Sequence, residues 1–204
     1  MIIIGLTGSI GMGKSTVARM LEDMGIPFHD ADAAVHKALG PHGAAIEPIS
    51  RIFPDVIDHA PDTNAPFIDR QKLGQIVFND DEKMKQLEDI LHPIARASSD
   101  VFLDECRDQK LDFAVLDIPL LFETGSENRV DVTFCVSADP DVQKARVMAR
   151  PHMTEEKFHQ ILARQMPDRE KRRRADHVIH TDVSLDETRN QLISILDSLK
   201  EIKT

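Results

Sequence analysis

Residues 1–16, MIIIGLTGSIGMGKST, decide the fold of this 204-residue chain. The isoleucines at positions 2–4 form a short apolar run of the kind that builds a buried strand. The run leads into residues 8–15, which have the spacing G-x-x-x-x-G-K-[ST] of a phosphate-binding loop. Glycines in such a loop let successive backbone N–H groups turn inward around phosphate oxygens, and the helix that follows directs its positive end at the same anion.

A match to this pattern is expected by chance in roughly one chain of this length per hundred. The alternative is a glycine-rich turn that only joins a strand to a helix, and the flanking patterns make it the weaker interpretation. We predict that Lys14 contacts the β- and γ-phosphates of a nucleoside triphosphate and that the Ser15 hydroxyl ligates the accompanying Mg²⁺. The predicted nucleotide-binding residues are Gly8, Gly11, Met12, Gly13, Lys14, Ser15 and Thr16.

The composition excludes several classes of protein. A formal net charge of −10 argues against a nucleic-acid-binding surface, and the chain has no Trp or Tyr on which bases could stack. Its two cysteines, Cys106 and Cys135, are far apart in sequence, which argues against a disulfide framework and favours a reducing compartment. No apolar stretch approaches the roughly 18 residues of a membrane span. We expect a cytoplasmic protein, a monomer or weak homo-oligomer, that acts on small molecules.

Four further apolar runs, at residues 26–29, 111–117, 130–136 and 176–180, are predicted strands that alternate with helical patterns. This alternation predicts an α/β fold of three layers, the P-loop NTPase fold, with a five-stranded parallel sheet flanked by helices. We expect a nucleotide-binding core of residues 1–39, 109–140 and 175–204. Residues 40–108 form a helical acceptor-binding insertion in this scheme, and residues 141–174 form a lid.

Two aspartates, Asp30 and Asp32, follow the second predicted strand. The carboxyl ends of parallel strands lie at one edge of the sheet, so these carboxylates are expected beside the phosphate-binding loop. Helix capping by Asp30 is the purely structural explanation of the pair. We predict that Asp30 caps the next helix and that Asp32 accepts the proton of an attacking hydroxyl.

The insertion is rich in turn-forming residues up to position 67, so its helices are expected to be short and broken there. A helix over residues 70–77 is then predicted with Asp69 as its N-cap. Asn79 or Asp80 is expected to cap the next helix, which runs to about Cys106 and is kinked or interrupted at Pro93.

Asp117 ends the third predicted strand and has two interpretations. An apolar run that ends in an acid has the form of a Walker B segment, in which the carboxylate steadies Mg²⁺ through water. A polar strand end at the protein surface explains the same residue equally well.

Arg146 and Arg150 are four positions apart on the predicted helix after Pro140, which places them on one helical face. A second helix, capped by Thr154, leads to a basic run at residues 169–174. Such a run forms a solvated helical face or a nucleic-acid-binding patch, and the acidic chain argues against the patch. Arginines on a mobile helical hairpin can neutralise phosphoryl oxygens and exclude water. We predict a lid in which Arg146 and Arg150 contact phosphate, with residues 172–174 at the surface.

In their order and spacing these motifs resemble the dephospho-CoA kinase family, which is part of the nucleoside-monophosphate-kinase-like P-loop enzymes. The resemblance covers nearly the whole chain. It is carried by GLTGSIGMGKSTV, the Asp30-Ala31-Asp32 segment, the pattern R-x-x-L-G-x-x-V-F…L-E-x-I-x-H-P within residues 70–93, the PLLFE of residues 119–123, and residues 146–150 with Gln165.

The resemblance implies transfer of the ATP γ-phosphoryl group to the ribose 3′-hydroxyl of dephospho-CoA, the last step of coenzyme A biosynthesis, with Mg²⁺ present. It implies a catalytic set of Asp32, Lys14, Arg146 and Arg150. The implied acceptor-binding residues are Asp30, Phe78, His92, Pro93 and Glu123. A hydrogen-bonded structural histidine is an equally good interpretation of His92.

One position departs from the family pattern. The family usually carries an Asn soon after the last strand, near the adenine, and this chain has Thr181 there. The departure bears on how the adenine is recognised and leaves the predicted activity unchanged.

Three other functions fit parts of the pattern. Another small-molecule kinase would lack the insertion with its Leu-His-Pro segment, and a GTPase switch would need an Asn-Lys-x-Asp segment, which the sequence lacks. A nucleotide-binding module without catalysis would be expected to have lost Asp32 or the two lid arginines.

Overall fold

The computed structural model describes residues 1–78 and 80–202 and divides the chain into two compact units. The first unit contains Met1–His29 and the chain from Cys106 onward, and the second is Asp30–Glu105. The second unit therefore begins ten residues before the predicted start of the insertion at residue 40. The predicted lid, residues 141–174, lies within the first unit.

Seven strands are present in the described residues. They are β1 Ile2–Thr7, β2 Phe28–Asp30, β3 Ile57–His59, β4 Pro66–Ile68, β5 Phe113–Asp117, β6 Val132–Ser137 and β7 His177–His180. The nine helices of residues 1–78 and 80–202 are α1 Lys14–Asp23, α2 Ala31–Leu39, α3 Ile46–Ile52, α4 Arg70–Val77, α5 Asp81–Asp108, α6 Pro140–Met148, α7 Glu155–Arg164, α8 Asp168–Arg174 and α9 Leu185–Ile202. Within these residues, no helix combines the length and apolar character that crossing a membrane requires.

The five-stranded sheet has the order β2-β5-β1-β6-β7 and confirms the predicted α/β fold. β1 pairs in parallel with β5 and β6, and β6 pairs in parallel with β7. The observed strands differ from the predicted ones by one or two residues. β5 and β7 begin two residues and one residue later than predicted, and β2 and β6 are shifted at both ends. β1 occupies the centre of the sheet, so the loop that follows it leaves the middle of the carboxyl edge.

The core of the first unit explains why these segments are strands. Ile4, Leu6, Val115, Phe134 and Ile179 are fully buried and come from four of the five strands. Apolar residues of α1 and α9 complete the same cluster. Strands buried on both faces read as continuous apolar runs, which is the pattern the sequence shows.

The second unit has a core of its own that includes Ile49, Val56 and Leu73. Its two-stranded antiparallel sheet, β3 with β4, was not predicted, and it lies in the segment expected to hold only broken helices. Three-residue strands are too short to show an alternating pattern. Pro61 lies between the two strands and Pro66 is the first residue of β4, and two prolines so close together indicate a turn.

Helix capping follows the prediction. Asp30 accepts a hydrogen bond from the Ala33 N–H at 2.9 Å, and Asp69 caps α4 through the N–H groups of the second and third helical residues. Asp80 accepts from the Lys83 N–H at 3.0 Å at the start of α5, whereas Asn79 lies outside the described residues.

Pro93 does not interrupt α5, which is one helix of 28 residues.

Candidate functional site

The loop between β1 and α1 has the backbone that phosphate binding requires. Gly11 and Gly13 have φ angles of 79° and 89°, a left-handed conformation that side-chain-bearing residues rarely adopt. Gly8 packs so closely against β6 that a Cβ atom there would lie 2.7 Å from the Val136 carbonyl oxygen. Glycine is therefore required at positions 11 and 13 by the backbone conformation and at position 8 by close packing.

The N–H groups that end this loop are available to an anion. Met12 donates to the Ser9 carbonyl, and Thr16 and Val17 donate to the Gly13 carbonyl. Among the described residues, the N–H groups of Gly13, Lys14 and Ser15 have no acceptor in the protein. They lie at the positive end of α1, which begins at Lys14 as predicted.

Lys14 forms an ion pair with Asp117, whose carboxylate ends β5. β5 neighbours β1, and Asp117 lies opposite Leu6 in the parallel register. Asp117 is only 5% exposed, so the interpretation as a surface strand end is wrong. The structure instead places a buried carboxylate next to the loop lysine. The role of Asp117 at Mg²⁺ stays a prediction.

Thr181 connects the loop to α6. Its buried hydroxyl donates to the Met12 carbonyl at 2.7 Å. The guanidinium of Arg146 donates to the Thr181 hydroxyl at 2.9 Å and to the Thr181 carbonyl at 2.6 Å. A Cβ on Gly13 would lie 2.9 Å from the same hydroxyl oxygen, so this contact also restricts the loop.

We expect the substitution Thr181→Val to raise the Kd for ATP about three- to tenfold, because it removes one buried hydrogen bond to the loop and leaves the Met12 carbonyl unpaired. Isothermal titration calorimetry measures this value. Thr181→Ser keeps the hydroxyl and should bind ATP as the original chain does. Thr188→Val removes another buried threonine hydroxyl, which donates to the carbonyls of His180 and Ser184, and serves as the matched control. Equal ATP affinities in the Thr181 and Thr188 valine variants would contradict the expectation.

The predicted pairing of Arg146 with Arg150 on one helical face is wrong. α6 ends at Met148, and Arg150 follows the C-cap residue Ala149 as an exposed residue outside the helix. Pro151 comes next in the sequence and disfavours the helical conformation for the residue before it. Arg146 remains on α6 and is directed to Thr181.

Lys171 is a buried residue whose place in the structure the sequence interpretation missed. It lies inside the basic run, yet its side chain is fully buried. Its ammonium group donates to the Pro119 carbonyl at 2.9 Å and is 2.9 Å from a carboxylate oxygen of Glu123. A run of five basic residues in seven gives no signal that distinguishes the buried one from its exposed neighbours.

Glu123 was predicted to contact the acceptor, and the structure gives it internal partners. Besides the Lys171 ion pair, its carboxylate accepts a hydrogen bond from the Met166 N–H at 2.7 Å. Pro119, whose carbonyl Lys171 binds, also accepts from the Thr7 hydroxyl at 2.9 Å. The two contacts of Lys171 hold α8 against the segment that follows β5. Pro119 lies in that segment, two residues after Asp117.

The other predicted site residues lie in the second unit. Asp30 caps α2, and Asp32 is an exposed residue of the first turn of that helix. Phe78 follows α4 and is 49% exposed, which is unusual for a phenylalanine. His92 and Pro93 are adjacent, exposed residues of α5.

Within the described residues, no group of three or more His, Cys, Asp or Glu side chains could hold a metal by itself. The two cysteines do not form a disulfide, and burial raises the pKa of the Cys135 thiol to about 12. Cys135 is therefore unsuited to nucleophilic chemistry at neutral pH.

Comparison with known proteins identifies the family. The sequence matches the family described as dephospho-CoA kinase over residues 2–187. The dephospho-CoA kinase of Mesorhizobium japonicum is 48% identical over 98% of this chain and 98% of its own length. The structure is similar to TT1252 from Thermus thermophilus, with a TM-score of 0.81, 36% identity and 97% of both chains covered. It is also similar to the dephospho-CoA kinase from Campylobacter jejuni, with a TM-score of 0.71, 26% identity, and coverage of 99% of this chain and 98% of that chain.

The sequence match extends from the phosphate-binding loop to the last strand and includes the second unit, so it is not confined to the loop that many nucleotide-binding proteins share. A parallel sheet with this loop at its central strand is the arrangement of a P-loop kinase, and the chain belongs to the dephospho-CoA kinase family.

Proposed function

We propose that this chain transfers the γ-phosphoryl group of ATP to the ribose 3′-hydroxyl of dephospho-CoA, giving coenzyme A and ADP. The observation that carries the proposal is the phosphate-binding loop of the first unit, with three unpaired N–H groups at the start of α1 and Lys14 beside a buried acid. Family membership supplies the acceptor, since the family phosphorylates dephospho-CoA in the last step of coenzyme A biosynthesis.

In this mechanism Lys14 exchanges partners. The Asp117 carboxylate neutralises Lys14 in the structure, and both side chains are largely shielded from water, at 17% and 7% exposure. Phosphate oxygens of ATP then replace the carboxylate, because they carry more negative charge and also receive the loop N–H groups. Lys14 and the loop hold the β- and γ-phosphates in line with the acceptor.

The residues present fit a magnesium ion. Mg²⁺ in phosphoryl-transfer enzymes takes one or two protein ligands and completes its shell with water and substrate phosphates, so it needs no cluster of three acidic residues. Ser15 is an exposed residue that follows Lys14 in the chain, and the buried Asp117 carboxylate is paired with Lys14. These two side chains are the groups that would hold the ion, Ser15 directly and Asp117 through water. The ion would neutralise charge on the transferring phosphoryl group.

Asp32 acts as the base in this proposal. The Asp30 carboxylate accepts the hydrogen bond that caps α2. Within the described residues, the Asp32 carboxylate has no hydrogen-bond or ion-pair partner. An exposed, unpaired carboxylate can accept the proton of the attacking 3′-hydroxyl. The transition state of phosphoryl transfer is loose, so most of the rate comes from positioning and charge neutralisation.

We assign charge neutralisation to Arg146 and Arg150, and acceptor binding to four residues of the second unit together with Glu123 of the first unit. Arg150 is exposed just after α6, while Arg146 is fixed next to the loop by Thr181. The exposed ring of Phe78 offers apolar area to the acceptor, together with His92 and Pro93. The proposed acceptor-binding residues remain Asp30, Phe78, His92, Pro93 and Glu123.

We further propose that the enzyme works in the cytoplasm on small molecules, as a monomer or weak homo-oligomer and without nucleic acid. The acidic charge of −10 supports the last point, because a nucleic-acid-binding protein needs a basic face.

The test is an ADP-release assay with ATP and Mg²⁺ that compares dephospho-CoA with adenosine, AMP and shikimate as acceptors. We expect turnover with dephospho-CoA alone, at a kcat of about 1–100 s⁻¹ as is typical of kinases. Turnover with another acceptor would overturn the assignment of the second unit and leave the ATP site intact. ATP binding without turnover on any acceptor would refute the kinase proposal.

A further inference from the structure

Both backbone groups of Ile10, in the middle of the phosphate-binding loop, are bound by side-chain amides from outside the loop. The Ile10 N–H donates to Oε1 of Gln165 at 3.1 Å. The Ile10 carbonyl accepts from Nε2 of Gln143 at 2.8 Å. These contacts join loop residue Ile10 to two points of the segment 141–174, and all three residues lie in the first unit.

The orientation of each amide follows from the backbone group that it faces. A backbone N–H only donates, so Gln165 must present its carbonyl oxygen, and a backbone carbonyl only accepts, so Gln143 must present its NH₂ group. Glutamine is neutral, so it holds the loop without attracting or repelling a triphosphate. A basic side chain could not accept from the N–H, and an acidic one would add negative charge beside the phosphate site.

Each glutamine is itself held in place. Gln143 is a buried residue of α6, only 6% exposed, and its neighbourhood is so tight that a Cβ on Gly11 would lie 3.0 Å from the Gln143 carbonyl oxygen. Gln165 is the C-cap residue of α7. The next residue, Met166, donates its N–H to the Glu123 carboxylate at 2.7 Å. The two amides are therefore fixed supports of the loop.

We propose that Gln143 and Gln165 are positioning residues that hold Ile10 in place. They keep the loop N–H groups in the orientation that binds the phosphates of ATP. The affinity for ATP therefore depends on the segment 141–174. This inference rests on the proposed function only in naming ATP as the ligand. The acceptor has no part in it, so it separates binding of the nucleotide from phosphorylation of dephospho-CoA.

The experiment uses Gln143→Met, Gln165→Met and the double variant, because methionine approximates the length of glutamine without its hydrogen bonds. We expect each single change to raise the Kd and KM for ATP about three- to tenfold, since each removes one hydrogen bond from the loop. The KM for dephospho-CoA and kcat should stay within twofold. Because both glutamines act on Ile10, the effect of the double variant should differ from the product of the single effects.

Gln191 provides a matched control. Its amide also binds both backbone groups of one residue, accepting from the His180 N–H at 2.9 Å and donating to the His180 carbonyl at 3.0 Å. Thr181, which follows His180, keeps its own bond from its N–H to the Ser137 carbonyl. Gln191→Met should therefore lower the melting temperature as the test variants do and leave the Kd for ATP unchanged.

Calorimetric titration with ATP decides the outcome. A Kd for ATP that is unchanged in Gln165→Met, or that changes no more than in Gln191→Met, overturns the proposal. A lower melting temperature without a change in the Kd for ATP also overturns it. If the buried Gln143 variant does not fold, the half-buried Gln165 variant decides the result. If the unaltered chain binds ATP without phosphorylating dephospho-CoA, the proposed function fails, and the ATP titrations still test this inference.

Discussion

Replacing Asp32 with asparagine is expected to lower kcat for dephospho-CoA phosphorylation by about 10²–10⁴-fold, because an amide cannot accept the proton of the attacking hydroxyl. The Kd for ATP should stay the same, since the nucleotide contacts proposed above come from the loop and Lys14. Asparagine has nearly the size of aspartate, so no cavity or clash is introduced. The measurement is steady-state kinetics in the ADP-release assay, combined with titration of ATP.

The location of Asp32 makes this substitution easy to interpret. It is exposed in the first turn of α2, where a carboxylate stabilises the helix by about 0.3–1 kcal/mol through the helix dipole. The cap of α2 is provided by Asp30 and remains intact. We therefore expect a change in melting temperature of only a few degrees. A large loss of kcat with little loss of stability separates a chemical role from a structural one.

Asp55→Asn is the matched control, since Asp55 is another exposed aspartate of the second unit and lies in a short 3₁₀ turn. It changes the charge by the same amount and should leave kcat unchanged. If Asp32→Asn retained kcat within about threefold, the base would be a different group, and Asp32 would contribute only to the stability of α2 through the helix dipole.

Replacing Lys171 with methionine is expected to destabilise the protein by about 3 kcal/mol, because it breaks a buried ion pair and leaves its partner without a counter-charge. The Lys171 side chain is fully buried, and Glu123 keeps only 17% of its side chain exposed. Glu123 would retain its hydrogen bond from the Met166 N–H, which limits the loss. For a chain of this size the change corresponds to a fall in melting temperature of about 6–12 °C, measured by scanning calorimetry.

A second change should recover part of this loss. In the double variant Lys171→Met with Glu123→Gln, no unpaired charge is buried, and the glutamine can still accept from Met166 N–H. Replacing both members of a buried pair by neutral groups is often close to neutral in stability, so we expect at least half of the lost free energy of unfolding to return. A double variant less stable than Lys171→Met alone would show that the pair does not act as described.

Arg172→Met tests the same helix at its surface. Arg172 is 44% exposed and pairs with Asp168 at 3.3 Å, an arrangement that stabilises proteins by about 0–1 kcal/mol. Its removal should therefore shift the melting temperature by less than about 4 °C. An equal effect at positions 171 and 172 would contradict the burial of Lys171.

The local features of the fold could be predicted because each depends on a few neighbouring residues. The loop and the start of α1 at Lys14 follow from glycine spacing, and the caps at Asp30, Asp69 and Thr154 follow from side chains that reach N–H groups two or three residues away. The parallel sheet follows from apolar runs that alternate with helical patterns. The short strands β3 and β4 could not be predicted, because three residues carry too little pattern.

The sequence by itself determined the fold class, the phosphate-binding loop and the family, because these depend on local spacing and on the order of motifs along the chain. Only the tertiary structure decided which polar residues support the loop. Lys14 meets Asp117 across 103 positions, and Ile10 meets Gln165 across 155, so no local pattern reports either contact. Likewise Lys171 is buried while Arg172 and Arg173 are exposed, because the direction in which α8 packs selects one face of a uniformly basic run.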